Sequence, residues 1–465
     1  MLQLRPYQEQ LIHDVRMGLR SYQNVLAVAP TGAGKTALAT FMLKSASEKG
    51  IDCWFIVHRN ELLEQTTEAF GRIRLAHGIV AAGYDPSPMQ RVQLCSIDTL
   101  RRRYKDMRPP GLIIFDECHH CVSKTWADLR RQFQAAKVVG LTATPERLDG
   151  RGLVEIFDHM ALGPRVSWLI NEGYLCDYKA FAPSMPNTKD LHTVAGDYNR
   201  RETSELMKKP KIIGDIVEHY IRHAQGRKAI GFAAGIENSI RMVQAFKEAG
   251  IRAWHLDGET PRGERQSIMT AFRRGDIEVL WNVDLFGEGV DVPDVGAVID
   301  AAPTQSLCKF LQRCGRMLRP AEGKDHGIIL DHAGNIMRHG LPCQDREWSL
   351  QGREKEKKGK GEKMQAIKRC PKCFAVHKPA AVCPFCGHEY TGAQRKLQHG
   401  EGQLEEVDKT KVVQKPADVD RVRARTLDDL ISLGRQRGYK HPERWAAYVY
   451  TARLAKTKKP SPQNP

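Results

Sequence analysis

The segment Ala29-Pro-Thr-Gly-Ala-Gly-Lys-Thr36 constrains this chain more than any other. A short apolar run at residues 25–29 leads into it and a helical pattern follows, so a strand must end and a helix begin across one glycine-rich turn. Gly32 and Gly34 allow backbone N–H groups to turn inward around a phosphate, with Pro30, Thr31 and Ala33 completing the cradle. Lys35 can neutralise the outer phosphates of a nucleotide, and the Thr36 hydroxyl can ligate Mg²⁺. Ala29 stands where the broad form of this loop has its first glycine.

A second element answers the first. Leu112-Ile-Ile-Phe-Asp116-Glu117-Cys-His-His120 is an apolar strand ending in two adjacent acids. At the strand tip Asp116 would hold Mg²⁺ through water, while Glu117 would position and deprotonate an attacking water. Cys118, His119, His120 and Cys121 also bear metal-ligating groups, but contiguous residues at a strand end point in different directions, and no metal site is expected there.

Apolar runs alternate with helix-length amphipathic stretches over the first 340 residues. Strands are expected at 25–29, 51–57, 92–96, 112–116 and 138–142, then at 229–233, 253–256, 278–283, 297–301 and 327–331. Helical patterns such as 61–70, 237–248, 261–273 and 306–317 separate them. Continuous apolar strands joined by crossover helices make parallel sheets covered on both faces. The two series predict two α/β lobes in tandem, over 1–165 and 211–340, connected through 166–210.

A length of 465 residues allows two or three domains, and 41% hydrophobic with 27% charged residues excludes a collagen-like, wholly disordered or small disulfide-stapled chain. Charge is uneven: residues 341–465 carry 27 Lys and Arg against 15 Asp and Glu, which is +12 of the formal +17. A basic appendage on a near-neutral body predicts a polyanionic partner, nucleic acid first. The N-terminus lacks a signal-peptide pattern and no apolar run reaches about 18 residues, so no membrane partner is expected. Eight of the 12 cysteines are scattered, as in a reducing compartment, and the expected location is cytoplasmic.

The other four form Cys370-Pro-Lys-Cys373 and Cys383-Pro-Phe-Cys386, two knuckles nine residues apart. Four thiolates on two tight turns suit a tetrahedral structural Zn²⁺, stapling a ribbon at 368–390 too small to fold alone. Iron would accept the same ligands, and His377 and His388 are spare donors nearby. Lys368, Arg369, Lys372 and Lys378 make DNA contact and protein docking comparable expectations for this module. A basic linker at 341–367 precedes it, a polar one at 391–420 follows, and a basic helical tail occupies 421–465. In that tail Thr426 can cap one helix, and Pro442 can open another with Trp445, Tyr448, Val449 and Ala452 on one face, read as the buried face of a small helical pair.

The Asp-Glu-x-His strand end behind such a loop resembles the superfamily 2 helicases and translocases, the DEAD/DEAH-like group, and further segments fall in that family's order. Leu4-Arg-Pro-Tyr-Gln8 resembles the adenine-reading segment, which places Gln8, with Arg5, at the base. Val57-His-Arg-Asn-Glu-Leu62 and Ser96-Ile-Asp-Thr99 resemble strand-contacting segments, and Leu141-Thr-Ala-Thr-Pro145 the segment coupling hydrolysis to nucleic-acid movement. The resemblance thus assigns Arg59, Ser96, Thr99, Thr142 and Thr144 to nucleic acid. Gly287-Glu-Gly289-Val-Asp291-Val-Pro293 resembles a segment touching nucleotide and nucleic acid, which gives Gly289 and Asp291 to the nucleotide. Gln312-Arg-Cys-Gly315-Arg316-Met-Leu-Arg319 resembles the arginine-finger segment, so Gln312, Arg316 and Arg319 join Lys35, Asp116 and Glu117 in catalysis.

The likeness spans residues 1 to about 335 and implies two RecA-like lobes holding ATP and Mg²⁺ between them. The whole chain, Cys-rich ribbon included, looks most like bacterial RadD-type helicases and their phage-encoded relatives. RNA-directed members of the group carry Ser-Ala-Thr and a histidine where this chain has Thr142-Ala-Thr144 and Gln312, which favours DNA, single-stranded or branched. The resemblance therefore implies an ATP-dependent DNA helicase or translocase in repair, recombination or phage replication. A single-strand-binding, repair or replication protein is the candidate partner of the tail. The alternatives are an RNA helicase with the same motor and a DNA-binding accessory ATPase that switches without unwinding. Grip on the phosphate backbone would make binding strongly salt-dependent.

Overall fold

The computed structural model describes residues 3–58, 60–120, 124–147, 149–182, 186–286, 292–352, 366–390, 426–436, 441–443, 446–447 and 449–450. The chain divides into two compact units, Met1–Tyr390 and Thr391–Pro465.

The first unit opens with α1 (Pro6–Ser21), β1 (Asn24–Val28), α2 (Lys35–Ser47), β2 (Cys53–Val57), α3 (Asn60–Arg72) and β3 (His77–Val80). It continues with β4 (Val92–Ser96), α4 (Ile97–Arg103), β5 (Leu112–Phe115), α5 (Lys124–Gln132), β6 (Lys137–Thr142) and β7 (His159–Leu162). The strands lie in the order β3-β4-β2-β5-β6-β1-β7, with every pairing parallel. Alternate residues of β2 face opposite ways: Phe55 and Val57 join one core with Leu38, Leu43 and Phe70, while Trp54 and Ile56 join another with Leu100 and Leu129. Burial at every position of β1, β2, β4 and β5 follows from this covering of both faces. Because β1, β6 and β5 are neighbours and parallel, the segments that follow them gather at one end of the sheet. Those are the glycine-rich loop, Thr142–Thr144 and the acidic pair.

The second sheet follows α6 (Val166–Asn171) and begins with β8 (Asp177–Phe181). A hairpin of β9 (Thr193–Val194) and β10 (Asp197–Tyr198), α7 (Arg200–Met207), α8 (Pro210–Ala224), β11 (Ala229–Ala233) and α9 (Ile236–Glu248) come next. Then come β12 (Ala253–Leu256), α10 (Arg262–Arg274), β13 (Val279–Asn282), β14 (Ala297–Ala301), α11 (Leu307–Gly315), β15 (His326–Asp331) and α12 (Asn335–His339). The order is β12-β13-β11-β14-β15-β8, again parallel throughout. All ten strands expected from apolar runs form. Within the two large sheets, the three strands that were not expected, β3, β7 and β8, are all sheet edges. An edge strand needs no continuous apolar run: β7 buries only Ala161, and β8 only Ala180 and Phe181.

After α12 the chain returns to the first lobe. Trp348 packs against the cores on both faces of the first sheet, the Leu350 carbonyl accepts the Leu153 and Val154 N–H groups at 2.7 and 2.9 Å, and Asp345 accepts from Arg165 Nη1 at 2.8 Å. The Cys-rich module, with the hairpin β16 (Lys368–Arg369) and β17 (Val376–His377), docks on the edge strand β8. A bridge pairs Phe181 with Ala375, Ala182 N–H donates to the Phe374 carbonyl at 3.1 Å, and Arg369 Nη1 donates to the Ala182 carbonyl at 3.2 Å. An edge that would otherwise offer unpaired backbone groups is thereby covered.

Beneath this joint the His219 ring lies 5.2 Å from that of His332 and 5.8 Å from Phe374. Burial, then His219, hold the fully buried His332 imidazole down at about 3 from the ordinary 6.5. The unfolded chain takes up that proton first, so the stability this neutral ring supports is complete above pH 6.5 and is lost as pH falls. His332→Leu should therefore gain about 2 kcal/mol on the parent between pH 7 and pH 5, at about 1.36 kcal/mol per unit below the unfolded pKa. Denaturant melts of both proteins at the two pH values check this, and parallel pH dependences would contradict it.

In the second unit α13 (Leu427–Gln436) starts with a reciprocal cap. Thr426 Oγ1 accepts Asp429 N–H at 3.1 Å, and Asp429 Oδ2 accepts Thr426 N–H at 3.0 Å. Leu430 and Leu433 share a small core with Ala446 and Val449; Trp445, Tyr448 and Ala452 lie outside the described residues.

Candidate active site in the cleft

Gly34 enters α2 from the left-handed region at φ 86°, and Gly32 sits at φ 88°, conformations glycine adopts without strain. A Cβ on Gly34 would collide with Gln8. The entry segment braces the loop from behind: Tyr7 Oη and Gln8 Nε2 both donate to the Ala33 carbonyl, at 3.0 and 2.9 Å. Gln8 Oε1 accepts Arg5 N–H at 2.9 Å, so its amide is fully oriented. The Arg5 guanidinium lies 5.0 Å from the Tyr174 ring, an arginine–aromatic pair of the kind on which a base stacks. Thr36 is exposed in the first turn of α2.

Asp116 and Glu117 follow the last residue of β5. Glu117 adopts φ 45°, a left-handed conformation for a residue with a side chain, at a strain of roughly 1–3 kcal/mol. That turn aims its carboxylate: Oε1 lies 3.4 Å from Lys35 Nζ, and Oε2 lies 3.5 Å from His119 Nδ1. Burial, then the Glu117 carboxylate, push Asp116 up to about 6 against the pull of Lys35 and His58. A divalent cation would reverse that balance.

His119 is the residue that joins the halves of the site. Its Nδ1 is 3.3 Å from Thr142 Oγ1, and its Nε2 is 3.4 Å from the Gln312 amide nitrogen on the second lobe. The amide can only donate, so the imidazole proton belongs on Nδ1, toward Thr142 and Glu117. Thr142 Oγ1 also accepts Thr144 N–H at 3.1 Å and donates to the Thr144 carbonyl at 2.7 Å. Sequence reasoning gave His119 no role; the signal for one was its place two residues beyond Glu117 in the Asp-Glu-x-His pattern.

From the second lobe, α11 runs its C-terminal end onto the phosphate loop. A Cβ on Gly315 would collide with Thr31, and a Cβ on Gly32 would stand 3.6 Å from Arg319 Cγ. Gln312 and Arg316 are 2% and 5% exposed, so both are buried, while Arg319 is half-buried. Arg313 between them is a pin, bonded to Asp300 Oδ1 at 2.9 Å and to the Ala302 carbonyl at 2.7 Å.

Of the residues expected to touch nucleic acid, Ser96 is buried at the end of β4 and Thr99 is half-buried in α4. Thr142 and Thr144 are fully buried, with their hydroxyls bonded inside the protein. Arg59, Gly289 and Asp291 lie outside the described residues.

The donors present fit a magnesium nucleotide: a glycine cradle with no room for a Cβ, a half-buried lysine, and an acid at the strand tip. ATP with Mg²⁺ supplies the transferable phosphoryl group and a counter-charge. Lys35 would turn from Glu117 to the outer phosphates, and Thr36 and Asp116 would hold the cation. Glu117 would then take the proton of the attacking water, and Arg316 and Arg319 would set positive charge at the γ-phosphate while the lobes are closed.

Among the described residues, one metal-ligating cluster stands apart. The sulfurs of Cys370, Cys373, Cys383 and Cys386 all lie within 4.8 Å of one another, with 3.6 Å between Cys370 and Cys386 and 3.7 Å between Cys373 and Cys383. A tetrahedron with ligands at about 2.3 Å has edges of about 3.8 Å. Burial opposes a Cys370 thiolate, yet the Cys373 and Lys372 N–H groups bring it down to about 6, while burial above all pushes Cys373 up to about 12. A bound dication resolves that conflict by favouring all four thiolates.

Fold and site together fit a two-lobed nucleotide hydrolase whose candidate catalytic groups are divided between the lobes. Comparison with known proteins narrows the class. Residues 1–147 match the family described as "Type III restriction enzyme, res subunit", and residues 208–321 match "Helicase conserved C-terminal domain". The "51.5 kDa protein" of Lactococcus phage (isolate 7-9) is 37% identical, over 83% of this chain and 82% of its own length. The "Putative ATP-dependent helicase IRC3" of Saccharomyces cerevisiae is 28% identical over 71% of this chain, which spans 51% of that relative's length. The "DNA 3'-5' translocase XPB2" of Sulfurisphaera tokodaii is 26% identical over 68% of this chain and 79% of its own length. The chain belongs to the superfamily 2 helicases and is a nucleic-acid-dependent ATPase.

Proposed function

We propose that this protein is an ATP-driven DNA translocase or helicase of the RadD-like type, serving DNA repair, recombination or phage replication. The observation that carries the reading is the division of the hydrolytic site: Glu117 reaches Gln312 of the second lobe through His119. Hydrolysis then requires closure, and each cycle of closing and opening moves a strand held across both lobes. DNA is supported by the relative named as a DNA translocase, by Gln312 in the arginine-finger segment, and by the basic 341–465 region. Triplex displacement from duplex DNA, run beside unwinding of a forked duplex, tests it. ATP-dependent displacement in either assay is expected; inactivity in both, with ATP still hydrolysed, would leave a switch rather than a motor.

Zn²⁺ held by the four clustered cysteines is the proposed second cofactor, with a structural role. About one Zn²⁺ per chain is expected in purified protein. Its removal should loosen 366–390 from β8, seen as faster amide exchange at Ala182 and Phe374. A metal-free protein with unchanged exchange there would remove this assignment.

A further inference from the structure

The relay from Glu117 does not stop at Thr142. Thr144 turns its hydroxyl across the cleft and donates to Cys308 Sγ at 2.9 Å. Both side chains are wholly buried, so no water competes for this acceptor while the lobes are together. Cys308 lies in the first turn of α11, the helix that carries Gln312 and ends against the phosphate loop. That turn is held firmly. Asp197 accepts from Lys309 Nζ and from Thr304 Oγ1, each at 2.9 Å, and from Gln305 N–H at 2.8 Å. The sulfur is therefore presented at a fixed place, and Thr144 meets it when the lobes come together.

We propose that Cys308 is a positioning residue for hydrolysis: its sulfur captures the Thr144 hydroxyl on closure and thereby holds Thr142 and His119 where Glu117 needs them. Two contacts from one helix, Cys308 to Thr144 and Gln312 to His119, then set the same imidazole from opposite sides. The role needs an acceptor at this position and not merely a filler of the right size. Serine can replace cysteine in it; alanine and valine cannot.

The inference rests on the hydrolytic site assigned above. Its test is steady-state ATP hydrolysis with saturating single-stranded DNA, with kcat and KM for ATP read separately. Cys308→Ala should lower kcat by about tenfold with little change in KM, as expected when a buried hydroxyl loses its acceptor. Cys308→Ser should recover to within about twofold of the parent. Thr144→Val should match Cys308→Ala, and the double variant should be no slower than either single one, since both remove the same contact. If Cys308→Ala fails to fold, Cys308→Val against Cys308→Ser makes the same comparison at conserved volume. A Cys308→Ala rate equal to the parent, a serine variant as slow as the alanine one, or single effects that multiply would each overturn the proposal. Glu117→Gln in the same assay separates the failures: turnover retained there defeats the site itself, whereas an inactive Glu117→Gln beside a normal Cys308→Ala defeats only this inference.

Discussion

Arg316→Ala and Arg319→Ala are each expected to lower nucleic-acid-stimulated ATP turnover by about 10³-fold or more. The phosphate loop, Lys35 and the acidic pair all belong to the first lobe, so nucleotide binding should survive both substitutions. What would be lost is charge stabilisation of the transferring phosphoryl group, which the second lobe would supply once it closes. The packing supports this assignment. Gly315 abuts Thr31, Arg316 is only 5% exposed, and Arg319 passes beside Gly32, so neither arginine is a solvated surface cation. Arg313→Ala should behave differently. Its guanidinium is committed to Asp300 and the Ala302 carbonyl, so its loss should appear first as a lower melting temperature. Measuring kcat, nucleotide affinity and melting temperature for the three variants distinguishes the roles. An Arg316 or Arg319 variant that turns over normally would show that the finger lies elsewhere.

Glu117→Gln should lower turnover by about 10²–10⁴-fold, the range for removal of a general base. Glutamine keeps the shape and can still bond to Lys35 or His119, so folding, nucleotide binding and DNA binding should persist. The backbone of Glu117 is already held at φ 45°, and a near-isosteric side chain adds no new strain there. Lys35→Ala should be equally inactive but for another reason, because it removes the cation that faces the outer phosphates and should therefore weaken nucleotide affinity as well. Binding of a fluorescent nucleotide analogue separates the two: retained for Glu117→Gln, reduced for Lys35→Ala. Full turnover in Glu117→Gln would mean that another group activates the water.

The parts of this molecule that were legible in its sequence are those where local chemistry and fold coincide. A glycine-rich turn between strand and helix, two acids at a strand tip and ten continuous apolar runs each carry their own signal, and each forms. The edge strands β3, β7 and β8 did not announce themselves, because a strand paired on one side can stay half polar. The return of residues 341–352 to the first lobe was hidden for the opposite reason. It is held by backbone bonds at Leu350, by the ring of Trp348 and by Asp345 on Arg165, isolated contacts that leave no periodicity to read.

The candidate site divides in the same way. Lys35, Asp116 and Glu117 were proposed from the pattern of their motifs, and Gln312, Arg316 and Arg319 from the family resemblance. The buried bonds of Thr142 and Thr144, the bridging place of His119 and the contact with Cys308 depend on two distant segments meeting, and no window of sequence contains both. The paired cysteine knuckles were plain, but their docking on β8 was not, since it is a main-chain pairing that any sequence can make.

In the proposed cycle, one DNA-responsive hydrolytic site is completed by closure of the two lobes. The most direct measurement is the ATPase rate without nucleic acid and with single-stranded DNA, duplex, forked DNA and RNA, at two salt concentrations. Stimulation by DNA well above RNA, falling as salt rises, is the predicted result. Equal rates under all five conditions would contradict it and would assign control of the site to something other than DNA.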